Sequence, residues 1–382
     1  MKKSIETVCV HGGEHAFSDA ARSLTVPIYQ SAAFSHLQTG HNEHGFDYTR
    51  ISNPTRQHLE ETVSALEGAE KTIAFTSGMA AISCVFELFA PGDRIVCSED
   101  LYGGTVLLMD IVGRKNGLDF VFVDTTDPEK LASAVTEGTK AIYIETPSNP
   151  MMNVTDIRLC GELAKKVGAL LLVDNTFLSP YFQNPIALGA DVVIHSGTKY
   201  LGGHNDTISG FLCMADKALG EQLHKIAYAQ GSTLSPFDSY LMIRGIKTLA
   251  LRMERQQQTA LRIAKWLQTQ EKVEKVFYVG LPDHPAYELN AKQSRGAGGM
   301  LSFAVDSHET ALKLLQNVKV ATFAESLGGP ETLITLPALQ THRDVEESQR
   351  LRLGITDSLL RMSVGLENAD DLIADLDQAL NG

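Results

Sequence analysis

The run Asp191-Val192-Val193-Ile194-His195, followed by Ser196-Gly197-Thr198-Lys199-Tyr200-Leu201-Gly202-Gly203, sets the terms for the whole chain. Its first half is a short β-branched apolar run of the kind that fills a buried strand. Its second half places two hydroxyls, a lysine and then glycines where that strand gives way to a loop. A lysine in this setting suits a carbonyl cofactor held as a Schiff base, with a phosphate tied down nearby. Taken alone the pattern is also that of a solvated surface lysine beside a serine, so its meaning depends on what surrounds it.

Immediately upstream, Ile157, Cys160, Ala164 and Val167 share one helical face stopped by Gly168, and Ala169-Leu170-Leu171-Leu172-Val173 follows as a fully buried strand ending at Asp174. The same alternation repeats further back. Residues 72–76 form a strand that runs into Ser77-Gly78-Met79-Ala80-Ala81-Ile82; residues 94–97 lead to Tyr102-Gly103-Gly104; residues 120–123 precede an Asp127-Pro128 helix start; residues 141–144 end at Glu145-Thr146-Pro147-Ser148-Asn149-Pro150. Continuous apolar strands alternating with amphipathic helices imply an α/β fold with a mostly parallel sheet covered on both faces. In such sheets ligands collect at the carboxyl ends of the strands, so the loops holding Ser77, Tyr102, Asn149, Asp174 and Lys199 can converge. The strand-Ser-Gly-helix turn at Ser77 aims free N–H groups and a helix dipole at an anion, although the same turn also serves as a tight connection. No Gly-x-Gly-x-x-Gly follows a strand and no Walker-type loop is present, which leaves nicotinamide and nucleoside triphosphate chemistry unsupported.

The 382 residues divide into an irregular arm (1–60), a sheet-forming domain (61–247) and a smaller C-terminal α+β domain (248–382), where helical stretches lead to a strand over 273–279 and the chain ends in a helix bearing Leu372, Ile373, Leu376 and Leu380. A composition of 43% hydrophobic and 21% charged residues is that of a globular protein. The formal charge of −13 argues against nucleic-acid binding, which needs a basic excess. No apolar run is long enough for a membrane span, and the start is basic without an apolar segment behind it, so a cytoplasmic protein is expected. Cys9, Cys84, Cys97, Cys160 and Cys213 are far apart and without a Cys-x-x-Cys pair, as reduced buried residues are. His41 and His44 lack helical spacing and a carboxylate-rich ligand set; they read as polar loop histidines, and no metal site is expected.

Taken together, Tyr48-Thr49-Arg50, Ser77-Gly78-Met79-Ala80-Ala81, Tyr102-Gly103-Gly104, Glu145-Thr146-Pro147-Ser148-Asn149-Pro150, Val173-Asp174-Asn175-Thr176-Phe177, Ser196-Gly197-Thr198-Lys199-Tyr200 and Glu325-Ser326-Leu327-Gly328-Gly329 resemble the pyridoxal-phosphate (PLP) enzymes of Cys/Met transsulfuration metabolism, from about residue 8 to the C-terminus. The resemblance implies the aspartate-aminotransferase-like fold (fold type I) and a homotetramer, a dimer of dimers with shared active sites. It implies that Lys199 joins pyridoxal 5'-phosphate and moves protons, that Asp174 faces the pyridine nitrogen, and that Tyr102 stacks on the ring. The bland alternative for Asp174 is a carboxylate capping the Asn175-Thr176 turn. Phosphate would be held at Ser77, by the N–H groups of Gly78 and Met79, by the hydroxyls of Ser196 and Thr198, and by Tyr48 and Arg50 of the neighbouring subunit. Asn149 would lie near the ring oxygen. Arg361 would pair with the substrate α-carboxylate, assisted by Ser326, unless it forms a buried structural pair.

The family's chemistry is elimination or replacement at Cβ or Cγ of sulfur and homoserine amino acids. Glu325 resembles the γ-synthase and γ-lyase branches, where a carboxylate can meet a distal amino group, and Gly103-Gly104 lacks the cysteine typical of methionine γ-lyases. The overall likeness leans toward γ-replacement on an O-activated homoserine with cysteine, giving cystathionine. The γ- and β-lyases and the sulfhydrylases stand as alternatives, and a non-catalytic PLP-binding regulator as a reading of another class. His204-Asn205-Asp206-Thr207 departs from the family's usual His-Ser-Asp-Val pattern and leaves the acceptor preference open.

Overall fold

The computed structural model describes residues 3–12, 22–39, 42, 44–343 and 345–382; His41, one of the two loop histidines weighed as metal ligands, lies outside them. The apolar runs form β1 (Lys71–Phe75), β2 (Arg94–Ser98), β3 (Asp119–Val123), β4 (Thr139–Glu145), β5 (Leu170–Asp174) and β6 (Val192–Ser196). Together with β7 (Gly210–Met214) they make one sheet in the order β1-β7-β6-β5-β4-β2-β3. Strands β2 to β6 run parallel, whereas β7 is inserted antiparallel between β1 and β6. The sequence reading did not separate β7 from the loop before it. No helix lies between β6 and β7, and without a crossover the chain returns antiparallel.

The central strands carry continuous apolar runs because both faces are covered. Ile142, Ile144, Leu171, Val173 and Val193 pack on one side with Leu59, Val63 and Cys160 of the helices Pro54–Glu67 and Ile157–Val167. Ala141, Tyr143, Leu172, Val192 and Ile194 pack on the other with Ile82, Val85 and Phe86 of the helix Gly78–Phe86. Each fully buried Leu, Ile or Val contributes roughly 1.5–3 kcal/mol relative to exposure. Local signals set the helix limits. The Asn53 side chain accepts from the Thr55 N–H at 3.0 Å, and Gly68 ends that helix at φ 72°.

The second sheet contains β8 (Val273–Phe277), β9 (Met300–Val305), β10 (Thr322–Phe323), β11 (Leu333–Thr335) and β12 (Leu359–Ser363), in the order β10-β11-β12-β9-β8. It is antiparallel except for the β10–β11 pair. Among the described residues no helix is long and apolar enough to cross a membrane, and no group of three or more His, Cys, Asp or Glu side chains is placed to hold a metal ion. All five cysteines are free and buried.

Candidate active site

Strands β1, β2, β4, β5 and β6 end at one edge of the large sheet, and their following loops line a cavity of about 240 Å³. Ser77, Gly78, Met79, Tyr102, Asn149, Asp174, Ser196, Thr198 and Lys199 all reach it from that edge; Glu325, Ser326 and Arg361 close it from the second sheet. A more open cavity of about 720 Å³ adjoins it, sharing Thr198, Ile208, Glu325 and Ser326 as walls.

Lys199 follows β6, and its Nζ lies 3.2 Å from Ser326 Oγ. Burial, aided by the positive charge of Arg361 and opposed by Glu325, pushes its amine down to about 8. A lysine so placed has a sizeable neutral fraction near neutral pH, as a nucleophilic amine requires.

Asp174 ends β5 with its Oδ1 accepting from the Thr176 N–H at 3.0 Å and the Thr176 hydroxyl at 2.6 Å. The bland expectation of a turn cap is therefore met by Oδ1, while Oδ2 accepts no hydrogen bond from the described residues. Burial holds the Asp174 carboxyl above the usual range, against the Thr176 hydrogen bonds and the charge of His195. Its partner across the parallel register is Glu145. Burial, reinforced by Asp174, raises the Glu145 carboxyl well above the usual range, and its Oε2 accepts from the Tyr102 N–H at 3.1 Å. Two adjacent buried carboxyls do not both ionise readily. The two donors on Oδ1 favour the charged form at Asp174, and Glu145 is the carboxyl pushed further up.

Arg361 lies in β12 and is only 2% exposed. Its Nη1 donates to Asn149 Oδ1 at 2.9 Å and its Nη2 to the Ser326 carbonyl at 3.0 Å, while Nε is buried without a partner among the described residues. Burial lowers the guanidinium to about 10, partly offset by Glu325. A buried cation held by neutral acceptors in a residue that lines the cavity is prepared for an anionic ligand.

Tyr102 stands at the mouth, 39% exposed. Burial of its ring and the Glu325 charge raise its phenol, which stays protonated at neutral pH. Its position explains the glycine pair that follows. A Cβ on Gly104 would lie 2.6 Å from the Tyr102 ring, and one on Gly103 would lie 2.6 Å from the Thr341 carbonyl.

Tyr48 and Arg50 are not brought to this cavity within the chain. Arg50 Nη1 donates to the Tyr228 carbonyl at 3.0 Å, and its guanidinium lies 4.6 Å from the Tyr228 ring centroid and 5.5 Å from that of Tyr48. Thr198 reaches the cavity, but its hydroxyl accepts from the Ser209 N–H at 3.0 Å and donates to the Ser209 carbonyl at 3.2 Å.

Several contributors carry no signature of their own in the sequence. Thr176 donates to Asp174 and accepts from the Ser196 N–H at 2.9 Å, tying β5 to β6. Behind them, His195 Nε2 lies 2.6 Å from Glu67 Oε1, and Asn175 Nδ2 donates to the same oxygen at 3.1 Å. Glu67 sits four residues after Val63 on the buried face of its helix, and a carboxylate in such a row was the one available signal. Glu145, Ile208 and Thr341 also line the cavity.

These residues fit PLP. Oδ2 of Asp174 offers a buried carboxylate oxygen to a ring N–H. The first turn of the helix Gly78–Phe86 lies against Ser196 so closely that a Cβ on Gly78 would stand 3.1 Å from the Ser196 Cβ, leaving the backbone N–H groups and the Ser196 hydroxyl together for a phosphate. Lys199 supplies the amine.

Comparison with known proteins agrees. The profile of the family described as Cys/Met metabolism PLP-dependent enzyme matches residues 6–381. A cystathionine γ-lyase of Bacillus subtilis (strain 168) is 47% identical over 380 residues, covering 100% of this chain and 99% of that protein. A cystathionine γ-synthase/O-acetylhomoserine (thiol)-lyase of the same organism is 44% identical, covering 100% and 97%. The crystal structure of cystathionine γ-lyase from Lactobacillus plantarum complexed with L-serine superposes with a TM-score of 0.96 at 42% identity, covering 99% of this chain and 98% of that one.

Proposed function

The chain belongs to the Cys/Met metabolism PLP-dependent enzyme family and is a transsulfuration enzyme that takes PLP as its cofactor, and on that premise we propose that it works at the Cγ–S bond of cystathionine, forming it from an O-activated homoserine and cysteine. The observation that carries this reading is Glu325. It stands between the cavity holding Lys199 and Arg361 and the open cavity beside it, so its carboxylate can meet the ammonium of a second amino acid while Arg361 holds the first.

In this reading the Nε and Nη groups of Arg361 take the substrate α-carboxylate, with Asn149 and Ser326 fixing the guanidinium. Lys199 removes the Cα proton and then moves a proton at Cβ as the γ-substituent leaves; Ser326 Oγ steadies its amine. Tyr102 covers the mouth and limits water. Asp174, held by Thr176, keeps the ring nitrogen protonated. When bound, the cofactor supplies the electron sink for the charge released at Cα. Tyr48 and Arg50 reach the phosphate of a neighbouring subunit within a dimer of dimers. Exposed apolar side chains support such assembly: Leu24 is fully exposed, Leu37 is 75% exposed, and the half-exposed Leu107 and Ile111 share one face of the helix Gly103–Asn116.

Cleavage of the same bond, γ-elimination of cystathionine, is the second reading; the name of the 47% identical B. subtilis γ-lyase favours it. Purified enzyme with O-succinyl- or O-acetylhomoserine and cysteine should yield cystathionine, and with no thiol should yield 2-oxobutanoate and ammonia. Rapid release of 2-oxobutanoate and cysteine from cystathionine, with no thiol addition to either ester, would replace synthesis by γ-cleavage. Pyruvate and homocysteine as products would move the chemistry to Cβ.

A further inference from the structure

His342 is 2% exposed and lies at the junction of three loops of the site. Its backbone N–H donates to the Pro337 carbonyl at 2.9 Å, which fixes the residue in place. Its Nδ1 is 2.8 Å from the hydroxyl of Thr341, a cavity-lining residue, while its Nε2 is buried without a hydrogen-bond partner among the described residues. The backbone carbonyls of Leu101 and Asn149 face the imidazole. Leu101 precedes Tyr102; Asn149 is the acceptor that orients Arg361. The same loop presses on the start of the Tyr102 helix, where the Thr341 carbonyl would lie 2.6 Å from a Cβ on Gly103.

We infer that His342 is a positioning residue, which ties the Tyr102 loop to the Asn149–Arg361 pair through a neutral imidazole. The Thr341 hydroxyl donates to Nδ1 and so fixes the tautomer with the proton on Nε2. That N–H is then available to the carbonyls of Leu101 and Asn149. Burial, with the charge of Arg361 beside it, keeps the ring down at about 4, so it neither titrates nor transfers protons in the working range. The role is to couple carboxylate capture at Arg361 to the placing of Tyr102. It rests on the assignment of those two residues under the proposed function.

The test compares His342→Gln with His342→Leu in the PLP-loaded enzyme. Both fill the space, and only glutamine offers a donor. The expected result is a 10- to 100-fold fall in kcat/KM for H342L, with a raised KM. H342Q should stay within about threefold of wild type, and both variants should keep the wild-type cofactor absorbance and thermal midpoint. The acid limb of the pH profile should be the same in wild type and H342Q. Equal kinetics for the two variants, or a loss in H342L that matches its loss of folded protein, overturns the inference. Arg361→Ala run in parallel separates the two levels. A wild-type KM in R361A sinks the carboxylate assignment itself; impaired R361A beside unimpaired H342L sinks only the role of His342.

Discussion

Replacing Arg361 by lysine and by alanine tests the cavity most directly. The guanidinium makes two hydrogen bonds, to Asn149 Oδ1 at 2.9 Å and to the Ser326 carbonyl at 3.0 Å, and keeps Nε free. Lysine preserves the charge but not the planar fork, so a two-point contact with a substrate carboxylate becomes a one-point contact. One lost hydrogen bond to a charged group costs about 1.5–3 kcal/mol, or roughly 10- to 150-fold in kcat/KM. Alanine removes the charge as well. Truncating one partner of a buried charge pair costs about 3–5 kcal/mol, so R361A should lose roughly 150- to 5,000-fold. The deletion also reaches Lys199, whose amine is lowered partly by this positive charge; in R361A its titration should move to higher pH. Steady-state kinetics on cystathionine or an O-acylhomoserine from pH 6.5 to 9.5 measures both effects. If R361K and R361A both stay within threefold of wild type, or if KM is unchanged while only kcat falls, Arg361 does not hold the substrate carboxylate.

The rate of PLP capture by cofactor-free enzyme should rise with pH with its midpoint near 8, because the neutral amine of Lys199 is the reactive form; a flat profile from pH 6 to 9 would contradict the depressed amine. Lys199→Ala should abolish turnover and the borohydride-sensitive visible absorbance while leaving the fold intact by circular dichroism. Thr176→Val removes the 2.6 Å bond to Asp174 and the 2.9 Å bond from Ser196; a loss of about 1–3 kcal/mol of stability and weaker PLP retention are expected from denaturant titration and dialysis. Gly104→Ala puts a methyl group 2.6 Å from the Tyr102 ring, so activity should fall at least tenfold with a nearly unchanged melting temperature, and a wild-type rate would show that the ring is free to relocate.

Much of the site was legible because strand ends and loop chemistry are local. The run before Ser196 is strand β6, the leucine run before Asp174 is β5, and parallel packing sends both to one edge whatever lies between them. The loops that follow these strands accordingly meet in one cavity, which Tyr48 and Arg50 of the irregular arm do not reach within the chain. Antiparallel β7 was harder, since Gly210-Phe211-Leu212-Cys213-Met214 has few β-branched residues and its place was decided by pairing with β1 and β6.

Sequence alone determined the fold class, the family and the identity of the groups that crowd the cavity, because apolar periodicity and motif order are properties of the chain. Only the tertiary structure decided their states. Glu67 and His195 come from positions 128 residues apart to meet behind Asp174, and Glu145 stands across from it in register. Arg361 arrives from the second sheet to help lower the amine of Lys199. His342 is brought between Leu101 and Asn149 by a loop with no motif that names it. Burial and the placing of charges across distant segments shift the titration of Asp174, Glu145, Lys199 and His342, and both exist only once the chain has folded.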